Sequence, residues 1–92
     1  MSLPKWYVYG LVNSKRQFLY VGSTNDLERR LHKHNAGIGK STKPYRPLDI
    51  AAYVAVRTER QARILEKYFK TGSGKAILKK RILTDEVPLG GT

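Results

Sequence analysis

The sequence predicts one α+β domain, a three-stranded mixed or antiparallel sheet flanked by helices in the order β-β-α-β-α-α. Three observations predict it. Two short aromatic and β-branched runs, 6–12 and 17–22, are joined by four polar residues, the pattern of an antiparallel hairpin. A third, almost wholly apolar run fills 48–56. The segments after the second and third runs carry helix caps and apolar residues at helical spacing. A chain of 92 residues allows one modest core and no second compartment.

Alternation along 6–12 places Tyr7, Tyr9 and Leu11 on one face and Trp6 and Val8 on the other. Asn13 to Arg16 is a polar turn. From Gln17 to Gly22, Phe18 and Tyr20 share one face and Leu19 and Val21 the other. Ser23, Thr24 and Asn25 offer N-caps to a helix whose first turn holds Asp26 and Glu28, where the helix dipole favours anions. Leu27, Arg30, Leu31 and His34 follow helical spacing on one face, and Asn35-Ala36-Gly37 ends the helix. Ile38 to Pro47 is a basic loop with Gly39, Pro44 and Pro47. Leu48 to Val56 reads as a central strand covered on both faces. Thr58 and Gln61 form a capping box for a helix to about Lys70. Its apolar arc is Ala62, Ile64, Leu65, Tyr68 and Phe69. Thr71-Gly72 stops it, and Ser73-Gly74 opens a short last helix through Lys75 to about Leu83. The core covers about 5–83, and 84–92, with Pro88, Gly90 and Gly91, reads as a loose tail.

Composition narrows the function classes. No apolar run reaches roughly 18–20 residues and no signal peptide is read, so no membrane role is expected. Cys is absent, which excludes disulfides and Cys-based zinc sites, and a cytoplasmic location is expected. No small-molecule cofactor is evident. Eighteen Lys and Arg face seven Asp and Glu, and residues 1–83 hold all the basic residues but only five acids, a balance of +13. Such an excess favours a polyanionic partner, with nucleic acid first.

Several side chains have both a bland and a chemical reading. Glu66 lies at the edge of its helix's apolar arc, about 40° from Ala62 and 60° from Phe69 at 100° per residue. It either pairs with Lys70 at i+4 or ligates a hard divalent ion through one carboxylate. Arg30 either covers the core with its stem or aims a guanidinium fork at phosphate. His34, one turn on, is a proton shuttle, a phosphate contact or neither; His32 reads as surface. Tyr9 and Tyr20 are a cross-strand packing pair, or phenols made acidic enough by a cation to take a proton from water. The 71–75 stretch, with Ser73 and Lys75, is an anion site or a plain junction between helices. Lys40, Lys43 and Arg46, with Tyr45 among them, suit phosphate and base contacts or merely a solvated loop.

Taken in order, these residues resemble the GIY-YIG endonuclease superfamily over about 5–83. The first signature reads Tyr7-Val8-Tyr9, with Tyr7 where the family name has glycine, and the second reads Tyr20-Val21-Gly22. The run from Ser23 to Leu31 and His34-Asn35 continue the family's helix, with Arg30 at the catalytic arginine position, and Glu66 matches the metal-binding glutamate. The chain is most similar to small stand-alone members, akin to the N-terminal nuclease module of an excinuclease.

The resemblance implies hydrolysis of DNA with one divalent cation, Mg²⁺ or Mn²⁺, in repair or processing. By position it makes Tyr9 the general base, with Tyr20 positioning water or phosphate. It gives Arg30 the charge on phosphate and Glu66 the metal. His34 joins this catalytic set, and Lys40, Lys43, Arg46, Lys70, Ser73 and Lys75 are the expected nucleic-acid contacts. Tyr9, Tyr20, Arg30 and Glu66 are expected to converge in one concave site on the sheet face. The asparagine that many members carry after the glutamate is missing, leaving Ser73, Lys75 or nothing in its place. The alternative is a non-catalytic nucleic-acid-binding module or a protein adaptor on the same fold.

Overall fold

The structure, a computed structural model, describes residues 3–15 and 18–82. Arg16 and Gln17, the expected helix end at Leu83 and the expected tail 84–92 lie outside them. The elements follow the predicted order: β1 (Trp6–Asn13), β2 (Leu19–Thr24), α1 (Leu27–Asn35), β3 (Leu48–Val56), α2 (Glu59–Phe69) and α3 (Gly72–Ile77). A 3₁₀ turn at Lys43–Tyr45 and a π-helical turn at Leu78–Ile82 complete them. Among the described residues no helix is long and apolar enough to cross a membrane.

The sheet is antiparallel throughout, in the order β2-β1-β3. This corrects the reading of β3 as central: β1 takes the centre and β3 lies at an edge. The hairpin already gives β1 one partner, and β3 pairs with its other side. Ala51, Tyr53 and Ala55 of β3 are exposed, while Ala52, Val54 and Val56 are half-buried. An apolar run containing three alanines can leave one face wet at small cost, so apolar content alone misplaced the strand. The β1–β3 register slips at Gly10/Leu11, where Ala51 is the extra residue.

The single core expected is instead split by the sheet into two clusters on its opposite faces, because side chains of a covered strand alternate between them. Val8, Val21, Ala62, Phe69 and Leu78 are buried on the α2 face, with Trp6, Leu19, Val56 and Leu65 packed beside them. Tyr9, Leu11 and Leu48 are buried on the α1 face, with Phe18, Tyr20, Leu27, Leu31 and Ile50. The predicted strand alternation therefore holds. The apolar arc of α2 is narrower than expected. Ala62, Leu65 and Phe69 turn to the sheet, whereas Ile64 and Tyr68 are exposed. They lie on the far shoulder of the wheel from Glu66.

Asp26, not Ser23, Thr24 or Asn25, caps α1; its Oδ1 accepts from the Arg29 N–H at 3.1 Å. β2 runs on to Thr24 and uses two of those candidates as strand. At the other end Gly37 takes φ +83. The Gly37 N–H donates to His34 O at 3.1 Å and the Ile38 N–H to Lys33 O at 3.2 Å, a Schellman close. Asn35 then acts as a surrogate strand for β3. Its Nδ2 donates to Leu48 O at 2.9 Å and its Oδ1 accepts from Leu48 N–H at 2.7 Å. The capping box of α2 is present as predicted.

The 71–75 stretch is a junction. Thr71 Oγ1 accepts from the Gly74 N–H at 3.0 Å and donates to Tyr68 O at 2.6 Å. Gly74 is buried, and a Cβ there would run into the Tyr68 carbonyl and the Phe69 Cα. The glycine serves helix–helix contact, and its N–H is taken by Thr71. Gly74→Ala should therefore lower stability by about 1–3 kcal/mol, the usual cost of overpacking. Urea unfolding checks this; an unchanged midpoint would mean that the junction relaxes freely.

Candidate active site

Tyr9 is the hub. It lies on the central strand, 2% exposed, opposite Gly22 of β2. Its ring runs over that glycine: a Cβ at Gly22 would lie 2.5 Å from the Tyr9 hydroxyl and 3.0 Å from the Tyr20 ring. The second signature thus needs glycine because a phenol fills the space. From α1, Arg30 Nε donates to the Tyr9 hydroxyl at 3.3 Å, and His34 Nε2 meets the same oxygen at 3.2 Å. His34 is buried, and its Nδ1 lies 2.9 Å from Thr42 Oγ1. The Tyr20 ring centroid lies 5.2 Å from that of His34 and 6.4 Å from that of Tyr9. Tyr20, Arg30, Lys33, His34, Ile38 and Gly39 line an open cavity beside this cluster.

Glu66 does not share that face, which corrects the expectation of one site on the sheet surface. It projects from α2, in the opposite layer, and reaches the edge strand β2. There Ser23 Oγ donates to Oε1 at 2.5 Å. Lys70 Nζ donates to Oε2 at 2.8 Å and stands 5.7 Å from the centre of the Tyr20 ring. The parts therefore meet around the β2 edge, with the phenols and Arg30 on one side and the carboxylate on the other. Glu66 still interacts electrostatically with both Tyr9 and Arg30.

Burial opposes ionisation of Glu66, but the hydrogen bonds from Lys70 and Ser23, with the charges of Lys70 and Arg63, outweigh it and hold the carboxyl below its usual range. Burial raises the Tyr9 phenol above 10.0; the hydrogen bond and charge of Arg30 pull it down without offsetting the burial. Arginine alone therefore does not make Tyr9 acidic. Burial, and then the Arg30 charge, lower the His34 pKa below 6.5, so the ring is neutral at neutral pH.

Of the expected nucleic-acid contacts, Lys70 sits at the site on Glu66. Arg46 is turned to structural use, with Nε donating to Lys43 O at 3.0 Å and Nη1 to Asn35 O at 3.4 Å. Lys40 and Lys43 are exposed on the same loop, which Tyr45 pins by stacking on Phe18 with centroids 4.0 Å apart. Ser73 and Lys75 are exposed on α3. Among the described residues no hydrogen bond joins either to Tyr9, Tyr20, Arg30 or Glu66. Nor do any three His, Cys, Asp or Glu side chains among those residues cluster to hold a metal. The donor set here is a single ionised carboxylate, which suits a hard divalent ion that takes its other oxygens from water and phosphate.

Sequence reasoning missed Ser23 and Thr42. Ser23 reads as a helix cap, and Thr42 is one small polar residue in a loop full of them. Only the alternation of β2, which puts Ser23 on the Val21 face toward α2, could have flagged the first.

Comparison with known proteins places the chain in a family. Residues 5–81 match the GIY-YIG catalytic domain. A UPF0213 protein of Bacillus pumilus is 40% identical over 70 residues, covering 75% of this chain and 68% of the relative. One from Bacillus subtilis is 38% identical over 65 residues, covering 70% and 66%. One from Staphylococcus saprophyticus is 37% identical over 78 residues, covering 84% and 94%. With that match over most of its length, the chain belongs to the GIY-YIG catalytic-domain family, which implies a nuclease and a nucleic-acid substrate.

Proposed function

We propose that this chain is a divalent-metal-dependent endonuclease domain that hydrolyses DNA phosphodiester bonds in repair or related processing. The observation that carries the reading is the linked series Arg30, Tyr9 and His34 beside a cavity lined with basic residues. A packing pair of tyrosines needs neither an arginine nor a neutral buried histidine on its hydroxyl.

Arg30 is held at Nε by Tyr9, which leaves its two terminal amino groups for a phosphate. Tyr20, on the cavity wall, positions the attacking water or that phosphate. Because burial keeps the Tyr9 proton on, the phenol works as a relay. As water attacks phosphorus its proton passes to the Tyr9 oxygen, while the Tyr9 proton passes to neutral His34 Nε2. The P–O bond to the leaving strand end breaks, and that oxygen draws a proton from solvent. Arg30 offsets the charge gathering on the phosphate.

Glu66 would hold the cation, Mg²⁺ or Mn²⁺, which when bound neutralises phosphate charge and polarises water. Lys70 occupies one carboxylate oxygen, but a partly exposed i,i+4 pair is worth only about 0.3–0.5 kcal/mol, so it yields readily. Lys70, Lys33, Lys40 and Lys43 supply phosphate contacts. The choice of DNA rests on the likeness to excinuclease-type modules.

Nicking of supercoiled plasmid, and cleavage of branched, nicked and single-stranded DNAs, tests the reading with Mg²⁺ or Mn²⁺. Salt-sensitive DNA binding with no cleavage of any substrate would leave the binding module instead. Glu66→Gln should abolish nicking at limiting metal while the fold and DNA binding persist, because the amide still accepts from Ser23. Added Mn²⁺ should partly restore it. Arg30→Ala should lose about 10²–10³-fold in rate, as when an oxyanion donor is removed, with no rescue by metal. Wild-type rates in folded Glu66→Gln would sink the assignment.

The pH dependence follows from His34. Its folded pKa lies below its ordinary value, so the stability from neutral His34 is present above about 6.5 and is lost as pH falls through the folded pKa. Protonation also removes the Nε2 acceptor. The nicking rate should therefore fall along an acid limb below pH 6.5, with Tm falling over the same window. A pH–rate profile whose acid limb lies at or above pH 7 would remove His34 from the relay.

A further inference from the structure

The series does not end at His34. Thr42 is 0% exposed, and its Oγ1 lies 2.9 Å from His34 Nδ1 and 3.3 Å from the Gly39 carbonyl. Both ends of the series have fixed chemistry. Arg30 Nε–H can only donate, so the Tyr9 oxygen accepts there and is free to donate its one proton to His34. With its hydroxyl proton on the Gly39 carbonyl, as the geometry has it, Thr42 turns a lone pair to His34 Nδ1. Nδ1 must then carry the ring proton, and Nε2 is bare. Entered from either end, the polarity is the same.

The opposite tautomer fits less well. Nε2–H would make the Tyr9 oxygen accept from both Arg30 and His34 and take away the Nε2 acceptor for the buried Tyr9 hydroxyl proton, while Thr42 would turn its own proton from Gly39 to Nδ1. We propose that Thr42 is the positioning residue that sets the His34 tautomer, keeping Nε2 open for the Tyr9 proton. This rests on the relay reading above. It identifies a loop residue, outside both tyrosine signatures and all three α-helices, as part of the machinery. The loop is held for this purpose: Thr42 N–H and Lys43 N–H both donate to Gly39 O, at 3.3 and 3.0 Å. A Cβ on Gly39 would lie 2.9 Å from Thr42 Oγ1 and 3.3 Å from His34 Nδ1, so the turn presses closely on this pair.

The test is ¹⁵N NMR of protein labelled at histidine, read at pH 7.5. The exposed His32 is the internal reference, assigned with His32→Gln. Wild type should show His34 as the Nδ1–H tautomer. Thr42→Val, which keeps the volume and deletes the acceptor, should move His34 mainly to Nε2–H and lower nicking about tenfold or more, by analogy with loss of the orienting partner of a metal-bound histidine. Thr42→Ser should restore both tautomer and rate.

Wild-type His34 as Nε2–H, or folded Thr42→Val that keeps Nδ1–H, overturns the proposal. If the valine variant does not fold, the wild-type and serine tautomers still decide it. The NMR result does not depend on activity. A tautomer switch in a protein that cuts no DNA would uphold the role of Thr42 and remove the nuclease reading. A nuclease with the wrong tautomer would do the reverse.

Discussion

One oxygen organises this molecule, the hydroxyl of Tyr9. It is reached from three separate segments: the central strand that carries the ring, the helix that brings Arg30 and His34, and the strand position kept empty by Gly22. A phenol in the core needs partners, because a buried hydroxyl without a hydrogen bond costs about 1–3 kcal/mol. That requirement couples α1 to the sheet more specifically than Leu27 and Leu31 can. Leucines accept many helix rotations, but the Arg30 and His34 contacts accept few.

The neighbouring pieces follow from the same need. His34 can be buried only if its second nitrogen is satisfied, and Thr42 satisfies it. Thr42 is in place only if the 38–47 loop returns to the helix end, and that return is fixed by Gly37, by Arg46 across two carbonyls, and by Asn35 on Leu48. Residues that read in the sequence as a basic loop for ligands are thus partly bolts for the tyrosine network. Arg46 is the plainest case, since its position suggested phosphate and its guanidinium holds backbone.

The strands, the two main helices, the capping box of α2 and the faces of the hairpin were legible in the sequence because each depends on neighbours in the chain. The place of β3 was not, because which strand lies between two others depends on pairing partners distant in sequence. The convergence of Tyr9, Arg30 and His34 could be anticipated only through the family pattern. No periodicity says that a helix beginning at Leu27 points its Arg30 back to the first strand. Glu66 at the edge of its arc was visible on the helical wheel, but the side from which it approaches was not. That depends on α2 packing on the Val8 and Val21 face, and on Ser23 alternating toward it.

A site assembled around an edge strand has a consequence for chemistry. Tyr9, Tyr20 and Arg30 come from one layer and Glu66 and Lys70 from the other, with only β2 between them. Among the described residues β2 has no strand on its outer side, so the two layers are open to each other along this edge. The two charged systems are kept apart in the free protein. Arg30 is engaged by a neutral phenol, and Glu66 is engaged by Lys70, so neither neutralises the other. Direct pairing of Arg30 with Glu66 would have quenched the cationic arm and the carboxylate together. The strand edge holds them close enough to interact electrostatically but leaves the guanidinium free for an anion and the carboxylate for a cation.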